Sequence, residues 1–394
     1  MTSLLRPSGA LILKLVALMA VLAAAGGVEF GGLRVSAIAW IVPLAVSCMF
    51  VAVLRRRVRF PWAIWVPWLV YLVFATDFSR IEALVRFFIL VTPLMVAMAT
   101  STAWRASPDL VPATLRWVFL ASLALYGTAV VMSGNLAIGD GYWYLVEGTC
   151  MTFVLLGVAA AIRREHTQQS RYLVLAVCFV ILLVSESRSA LLVLAALLII
   201  APTGSSWRLR LGLLGFYAAG FVVLFQTAAF QEVMFRSAVG SVTELAAVDS
   251  AAIRTGGRLV AWPAFIMGMN DVWFGQGSVA SSDYGQMVFG QGRWSHPHNE
   301  YIRLLFDYGV VGTFLFIAPL VWLVVDLLQR LSRETDRRAG WLLRFSVSCL
   351  IGFALLAVSG NVLMYHAWYG NIVFASIGLC YALPLRPFAR SKPA

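Results

Sequence analysis

Charged residues are scarce in this sequence. Only 12% of its 394 residues are Asp, Glu, Lys or Arg, whereas 61% are hydrophobic and the mean hydropathy is +0.85. Soluble domains carry about 25% charged residues, because their surfaces face water. The scarcity therefore excludes a soluble protein and indicates a chain that lies mostly inside a membrane.

The sequence also lacks the motifs of several chemistries. It contains no GxxxxGK[ST] phosphate loop, no HExxH metal motif and no repeat of an obvious period. Its five cysteines lie in apolar stretches without a pairing pattern or metal-ligand spacing, so no disulfide framework is predicted. Nothing in these patterns calls for ATP or a metal ion, and no cofactor is predicted.

What the sequence does have is a series of apolar stretches, each close to the roughly 20 residues that a helix needs to cross a bilayer. We predict an all-α, polytopic transmembrane bundle of about 12 spans, with the first stretch a span rather than a cleaved signal peptide. The predicted spans are residues 11–25, 35–54, 60–75, 81–99, 112–132, 145–162, 172–184, 189–202, 211–225, 302–328, 341–358 and 362–383.

These spans divide the chain into three parts: nine N-terminal helices within residues 1–225, a long external loop at 226–301, and three C-terminal helices with a cytoplasmic tail in 302–394. Long external loops are often functional. An apolar run from Gly257 to Met269 inside this loop predicts a short amphipathic helix on the membrane surface.

The predicted outer side has no lysine. Of the 30 basic residues, 21 fall on the side of the N-terminus, which the positive-inside rule makes cytoplasmic, whereas 13 of the 18 acidic residues fall outside. The net charge of +12 then reflects topology and anionic lipid, not nucleic acid. The nine outer basic residues are Arg34, Arg80, Arg86, Arg188, Arg236, Arg254, Arg258, Arg293 and Arg303.

An arginine-only outer face predicts a diphosphate ligand, because the planar guanidinium fork matches phosphate oxygens in pairs and an ammonium does not. The alternative for each arginine is an ion pair with an outer carboxylate or a position at the interface. Three arginines stand out: Arg188 in the tip between two short spans, Arg258 at the start of the surface helix, and Arg254 one turn earlier. Merging those two short spans would place the basic cluster at 330–344 outside, so a hairpin is preferred.

Two histidines flank Pro297 immediately before a predicted span. At this spacing His296 and His298 make a poor metal site without a third ligand. A neutral imidazole can instead accept a proton or form hydrogen bonds, so His298 is predicted to project into a cavity under the loop.

Taken in chain order, these residues resemble the signature of bacterial O-antigen ligases and related surface-polysaccharide polymerases. The stretch 298–312 is similar to their H-N-x-[YL]-[LI] element followed by [ED]-x-G-x-x-G. Residues 185–192 resemble S-x-SR-[ST]-A-L-L, residues 257–262 resemble GR-x-x-x-W, and Gly275-Gln276-Gly277 stands for G-x-G. The resemblance is specific from about residue 185 to residue 312.

The resemblance implies a metal-independent membrane glycosyltransferase of the GT-C type. It implies a bacterial inner-membrane protein with cytoplasmic termini, whose active site faces the periplasm and moves a glycan from undecaprenyl diphosphate to an acceptor. Arg188 and Arg258 would hold the diphosphate, and His298 would lie beside the acceptor hydroxyl. Further substrate contacts are predicted from Arg254, Glu186, Asn299, Glu300, Arg303 and His296.

The general base is left open between His298 and the carboxylates Glu186, Glu300 and Asp307. The implied partners are the lipid-linked glycan donor, a glycolipid or glycan acceptor and membrane lipids, with no nucleic acid.

Two alternatives stand beside ligation to the lipid A-core of lipopolysaccharide. A polymerase of the same family would handle two diphosphates, which the net negative outer face does not favour. A lipid-linked glycan transporter or flippase would usually place charges near the bilayer midplane and show two related halves, and neither feature is evident in the sequence. A ligase is therefore the preferred prediction.

Overall fold

The computed structural model describes residues 8–23, 29–30, 33–103, 107–133, 143–162, 168–184, 188–202, 206–227, 231, 258–290, 296–364 and 366–384. The regular secondary structure of this part of the chain is helical apart from one short hairpin, in which β1 (Glu29–Phe30) pairs antiparallel with β2 (Leu33–Arg34). The α-helices are α1 (Ser8–Ala23), α2 (Val35–Leu54), α3 (Val66–Ala75), α4 (Ile81–Ser101), α5 (Leu110–Ser133), α6 (Trp143–Ala161), α7 (Gln168–Val184), α8 (Arg188–Ile200), α9 (Trp207–Phe225), α10 (Arg258–Met267), α11 (Ala280–Phe289), α12 (Glu300–Arg333), α13 (Arg337–Leu356) and α14 (Gly370–Ala382).

A helix occupies each of the twelve predicted spans. Helices α2, α4, α5, α12 and α13 are long and apolar enough to cross a membrane by length and composition, and six shorter helices are also apolar. The protein is therefore a helical membrane protein, and the number of about 12 spans stays a prediction. Because α7 ends at Val184 and α8 begins at Arg188, the seventh and eighth predicted spans are two helices, and they pack against each other.

Helix α14 lies at the centre of the bundle. Every residue from Gly370 to Ala382 is buried, as expected for a helix that is apolar on all faces. Its most extensive contact is with α4, where Gly378 approaches the backbone of Ala97 so closely that a Cβ atom would collide with it. A small residue at this point allows the two helices to meet.

Several polar contacts join residues that the predicted topology places on the same side of the membrane. At one end of the bundle Arg338 pairs with Asp109, with 3.0 Å between Nη1 and Oδ2. At the other end Arg86 pairs with Asp307, with 3.3 Å between Nη1 and Oδ2. The same grouping holds for Arg344 with the carbonyl of Pro202, Arg59 with the carbonyl of Ala382, and Arg80 with Asp283.

Helix α12 is broken at Gly309, whose φ of +64° is a left-handed conformation that L side chains rarely adopt. The turn after α10 docks on this break: the Val310 amide donates to the Val272 carbonyl at 2.8 Å, and a Cβ on Gly309 would lie 2.5 Å from the amide nitrogen of Gly275. The two glycine motifs thus allow direct backbone contact. Residues 310–333 are long enough to cross a bilayer, at roughly 36 Å, which leaves 300–308 at one end of the bundle.

The last helix begins eight residues later than the predicted span at 362–383. The described residues of 357–369, here named the α13–α14 loop, form turns and are mostly buried. Backbone that is not helical at membrane depth has to be covered by protein with its polar groups paired. Accordingly, the amides of Leu363 and Met364 donate to Oε1 of Glu300 at 3.0 and 3.4 Å. The composition of such a segment resembles that of a span, because protein interior and lipid select the same apolar residues.

Candidate active site

Arg258, the first residue of α10, is bound to the α13–α14 loop. Its Nη2 donates to the carbonyl oxygen of Ser359 at 2.9 Å, and the side chain is half-buried. This contact brings the arginine of the GR-x-x-x-W motif to the end of α13.

Trp262, one turn further along α10, ties the same helix to the histidine motif. Its Nε1 donates to the carbonyl oxygen of Pro297 at 2.8 Å. Behind it a small apolar core joins α10 to the start of α12, formed by Ala261, Phe265, Ile302 and Phe306. The tryptophan of the motif therefore fixes the backbone next to His298.

His298 has a left-handed backbone with φ of +50°, although it is not glycine. Such conformations cost about 1–3 kcal/mol and persist where the surrounding structure holds them, often at functional sites. Two contacts stabilise this conformation. Trp262 donates to the carbonyl of Pro297, the preceding residue, and Nδ2 of Asn361 lies 3.0 Å from Nδ1 of the imidazole.

Asn299, next in the chain, starts α12. Its Oδ1 accepts hydrogen bonds from the amides of Tyr301 at 3.0 Å and Ile302 at 3.1 Å, and the side chain is 7% exposed. This is the geometry of an N-cap, which satisfies two of the amides that the first turn of a helix leaves unpaired. Asn299 therefore stabilises the start of α12 directly after His298.

Glu300 and Arg303 form a buried ion pair one turn into α12. Arg303 Nη1 lies 2.8 Å from Glu300 Oε2, and Arg303 Nη2 donates to Asn361 Oδ1 at 3.1 Å. The two side chains are 0% and 4% exposed, and an apolar cavity of about 160 Å³ adjoins Glu300 and Tyr301. In such surroundings the attraction between the charges is stronger than at a surface. The pair links α12 to the α13–α14 loop.

Asp307 makes a second buried link. Its Oδ1 accepts from the Ser281 amide at 2.7 Å, its Oδ2 accepts from the Ser281 hydroxyl at 3.1 Å, and Arg86 pairs with it from α4. Arg86 Nη2 also donates to the Ser282 hydroxyl at 3.0 Å. These contacts hold α11, α12 and α4 together.

His296 packs on the ring of His298, with 4.5 Å between the ring centroids and 32° between the planes. Burial and the nearby positive charge of Arg303, with smaller effects from His298 and Arg86, lower the pKa of His296 to about 2. The ring is therefore neutral at physiological pH and offers no cation to a phosphate. In the described part of the chain, no three His, Cys, Asp or Glu side chains converge as metal ligands would.

Arg188 is the first residue of α8, and its side chain lies outside the described residues, as do Glu186 and Arg254 altogether. Helix α8 packs antiparallel to α13. Pro202 beyond its C-terminal end accepts from Arg344 near the start of α13, whereas Leu197 lies against Gly352 near the end. The backbone of Arg188 is thus directed to the end of the bundle that carries Ser359.

Three of the arginines predicted on the outer side have carboxylate partners. Arg80, Arg86 and Arg303 pair with Asp283, Asp307 and Glu300, which is the ion-pair alternative stated for any outer arginine. Arg258 donates to a backbone carbonyl on the α13–α14 loop. Nothing is described of the side chains of Arg34, Arg236, Arg254 and Arg293.

Sequence reasoning missed the contribution of the α13–α14 loop. Ser359 and Asn361 contact Arg258 and His298 from 101 and 63 residues away. A signal was present, since Ser359-Gly360-Asn361 is a turn-forming polar break inside an apolar stretch.

These features define a class: a helical membrane protein in which a broken helix, a surface helix and an interhelical loop hold arginine and histidine side chains at one end of the bundle. Residues 173–317 match the family model described as O-Antigen ligase, which confirms the resemblance and includes every motif element between 185 and 312. Over residues 173–317 the chain is thus similar to the O-antigen ligase family. No curated protein matches it.

Proposed function

We propose that this protein transfers a glycan from undecaprenyl diphosphate to a glycolipid acceptor, acting as an O-antigen ligase at the periplasmic face of the bacterial inner membrane. One observation carries the proposal: Arg258 and His298 come from separate motifs and contact the same loop two residues apart, at Ser359 and Asn361. A guanidinium and an imidazole on one loop suit a reaction with a phosphate leaving group and a hydroxyl acceptor. We further propose a GT-C fold of about 12 spans.

In this reaction the acceptor hydroxyl oxygen forms a bond to the anomeric carbon while the bond from that carbon to the phosphate oxygen breaks. Negative charge develops on the departing diphosphate. Arg258, together with Arg188, would stabilise that charge in place, because fixed guanidinium groups in a water-poor site need no reorganisation during the step. Two guanidinium groups can take this role without a metal ion.

The ion pairs favour a ligase over a polymerase. Arg80, Arg86 and Arg303 are each engaged with a carboxylate, so three of the nine outer arginines are neutralised within the protein. A polymerase binds two carrier-linked glycans and needs cationic groups for two diphosphates. One diphosphate and one neutral acceptor hydroxyl demand less positive charge.

Deletion of the gene tests this choice. We expect loss of all glycan attached to the lipopolysaccharide core, with long chains accumulating on the undecaprenyl carrier, as seen by gel analysis of surface and carrier-linked glycans. A deletion strain that keeps a single repeat unit on the core but loses long chains would show a polymerase. Unchanged glycans in both pools would contradict the proposed function altogether.

The orientation is tested by cysteine labelling. Four of the five cysteines are buried, so Cys48→Ala gives a nearly silent background. In it, cysteines at the exposed positions Asn270 and Gln286 should react with an impermeant maleimide added to intact spheroplasts, whereas a cysteine at exposed Ser332 should react only after lysis. Reaction of the Ser332 variant in intact spheroplasts would reverse the orientation.

A further inference from the structure

Asn361 lies between a charged side chain and the ring of His298. Its amide group is 3.1 Å from Arg303 Nη2 and 3.0 Å from His298 Nδ1, and the side chain is 2% exposed. An amide has one accepting end and one donating end, so the two contacts cannot be of the same kind.

Arg303 decides which end faces which neighbour. A guanidinium only donates hydrogen bonds, so the amide oxygen of Asn361 faces Arg303 and the NH₂ group faces His298. The Nδ1 atom of His298 then has to accept, which it can do only without a proton. In a neutral imidazole the single proton is therefore on Nε2.

The rest of the network keeps Asn361 from turning over. Glu300, which is fully buried, holds Arg303 through Oε2, and its Oε1 accepts from the amide of Leu363, two residues beyond Asn361. A flipped amide would turn its NH₂ group toward the guanidinium, so that two donors would face each other, and its oxygen toward Nδ1 of His298. Glu300 thus fixes both the arginine and the loop segment that meet at Asn361.

We propose that Asn361 is a positioning residue that holds His298 as the Nε2–H tautomer, so that His298 donates a hydrogen bond to a diphosphate oxygen beside Arg258 instead of accepting the acceptor's proton. That the bond goes to a diphosphate oxygen rests on the proposed function, whereas the assignment of the tautomer does not. Glu300, with both oxygens engaged inside the protein, positions the network too.

The proton balance follows from this assignment. As the acceptor oxygen bonds to the anomeric carbon, the bond from that carbon to the diphosphate oxygen breaks. The acceptor proton then passes to an oxygen of the departing diphosphate, a base that the reaction itself supplies. His298 stabilises the same leaving group through its Nε2–H and ends the step with the proton it had at the start.

The tautomer is measured directly by ¹⁵N NMR of protein labelled in its four histidines, with His298 assigned by comparison with His298→Gln. We expect the Nδ1 resonance of an unprotonated, hydrogen-bonded nitrogen and the Nε2 resonance of a protonated one. In Asn361→Asp, where a carboxylate can only accept, the proton should move to Nδ1. A protonated Nδ1 in a neutral ring of the wild-type protein would overturn the proposal.

Transfer assays on purified variants test the donor role. Glutamine can donate without acting as a base, so His298→Gln should keep transfer within about 10-fold of wild type, whereas His298→Glu should lose about 10²- to 10³-fold, the range for removing one donor to a developing negative charge. Activity retained by the Glu variant and lost by the Gln variant would make His298 the base and overturn the donor role.

Asn361→Asp separates positioning from structure. Aspartate keeps the shape and the contact with Arg303 but cannot donate to His298, so transfer should fall about 100-fold while the melting temperature is retained. Asn270→Asp adds the same charge at an exposed position in the turn after α10 and should transfer like wild type. If the wild-type protein transfers no lipid-linked glycan, the proposed function fails, and the NMR result still decides the role of Asn361.

Discussion

Replacing His298 by alanine is expected to lower glycan transfer about 10²- to 10³-fold in a purified assay with an undecaprenyl-linked glycan. Alanine removes the Nε2 proton and the Nδ1 contact with Asn361 together. The left-handed backbone at this position should tolerate the change poorly, so thermal unfolding and detergent-solubilised yield are measured alongside transfer.

His296→Ala is the matched control for this prediction. It removes the stacked neighbour of His298, and its ring is neutral at physiological pH because its pKa is about 2. We expect a loss of about 10-fold or less, since packing is weakened and the donor remains. Full transfer by His298→Ala would remove this residue from the site and return attention to the carboxylates, among them Glu300.

Replacing Arg258 by lysine is expected to impair transfer nearly as much as replacing it by alanine, about 10²- to 10³-fold. Lysine keeps the charge but loses the planar fork, whose geometry matches phosphate oxygens in pairs and whose Nη2 here donates to the Ser359 carbonyl. An ammonium cannot do both in a fixed direction. The measurement is kcat and KM with a lipid-linked glycan donor, compared for the Lys and Ala variants.

Arg80→Lys provides the control, because Arg80 is an outer arginine in an exposed ion pair with Asp283. Exposed pairs contribute about 0–1 kcal/mol, so transfer should stay within about 2-fold of wild type. Equal activity of wild type and Arg258→Lys would show that charge alone is sufficient there and would remove the bidentate contact from the mechanism. The same comparison at Arg188 tests the second arginine that we propose for the diphosphate.

Most of the helices were predictable from the sequence, because a bilayer restricts the conformations that a spanning backbone can adopt. Without water, every amide and carbonyl has to be paired within the protein, and a helix does so locally. Runs of apolar residues therefore predicted α4 and α13 within a few residues of their observed bounds. The start of α14 at Gly370 could not be predicted in this way, since the α13–α14 loop is apolar and yet covered by protein.

The site shows the same division. The motif residues Arg258 and His298 could be named from the sequence, since a phosphate-binding arginine and a histidine before a helix are local signals. Asn361 could not, because its role depends on Arg303 and His298 reaching it from another helix. Likewise Arg86 looked like any outer arginine until the fold placed it against Asp307, 221 residues away.

The sequence by itself determined that this protein is a helical membrane protein, where most of its long apolar helices lie, and which arginines and histidines lie in the recognised motifs, because hydrophobic length and local motifs are properties of neighbouring residues. Only the tertiary structure decided which arginines are neutralised by carboxylates, that Glu300 and Arg303 are buried beside the α13–α14 loop, and which nitrogen of His298 contacts Asn361. These outcomes depend on the relative positions of side chains from distant helices, and a hydrogen bond forms only when donor and acceptor meet at about 3 Å.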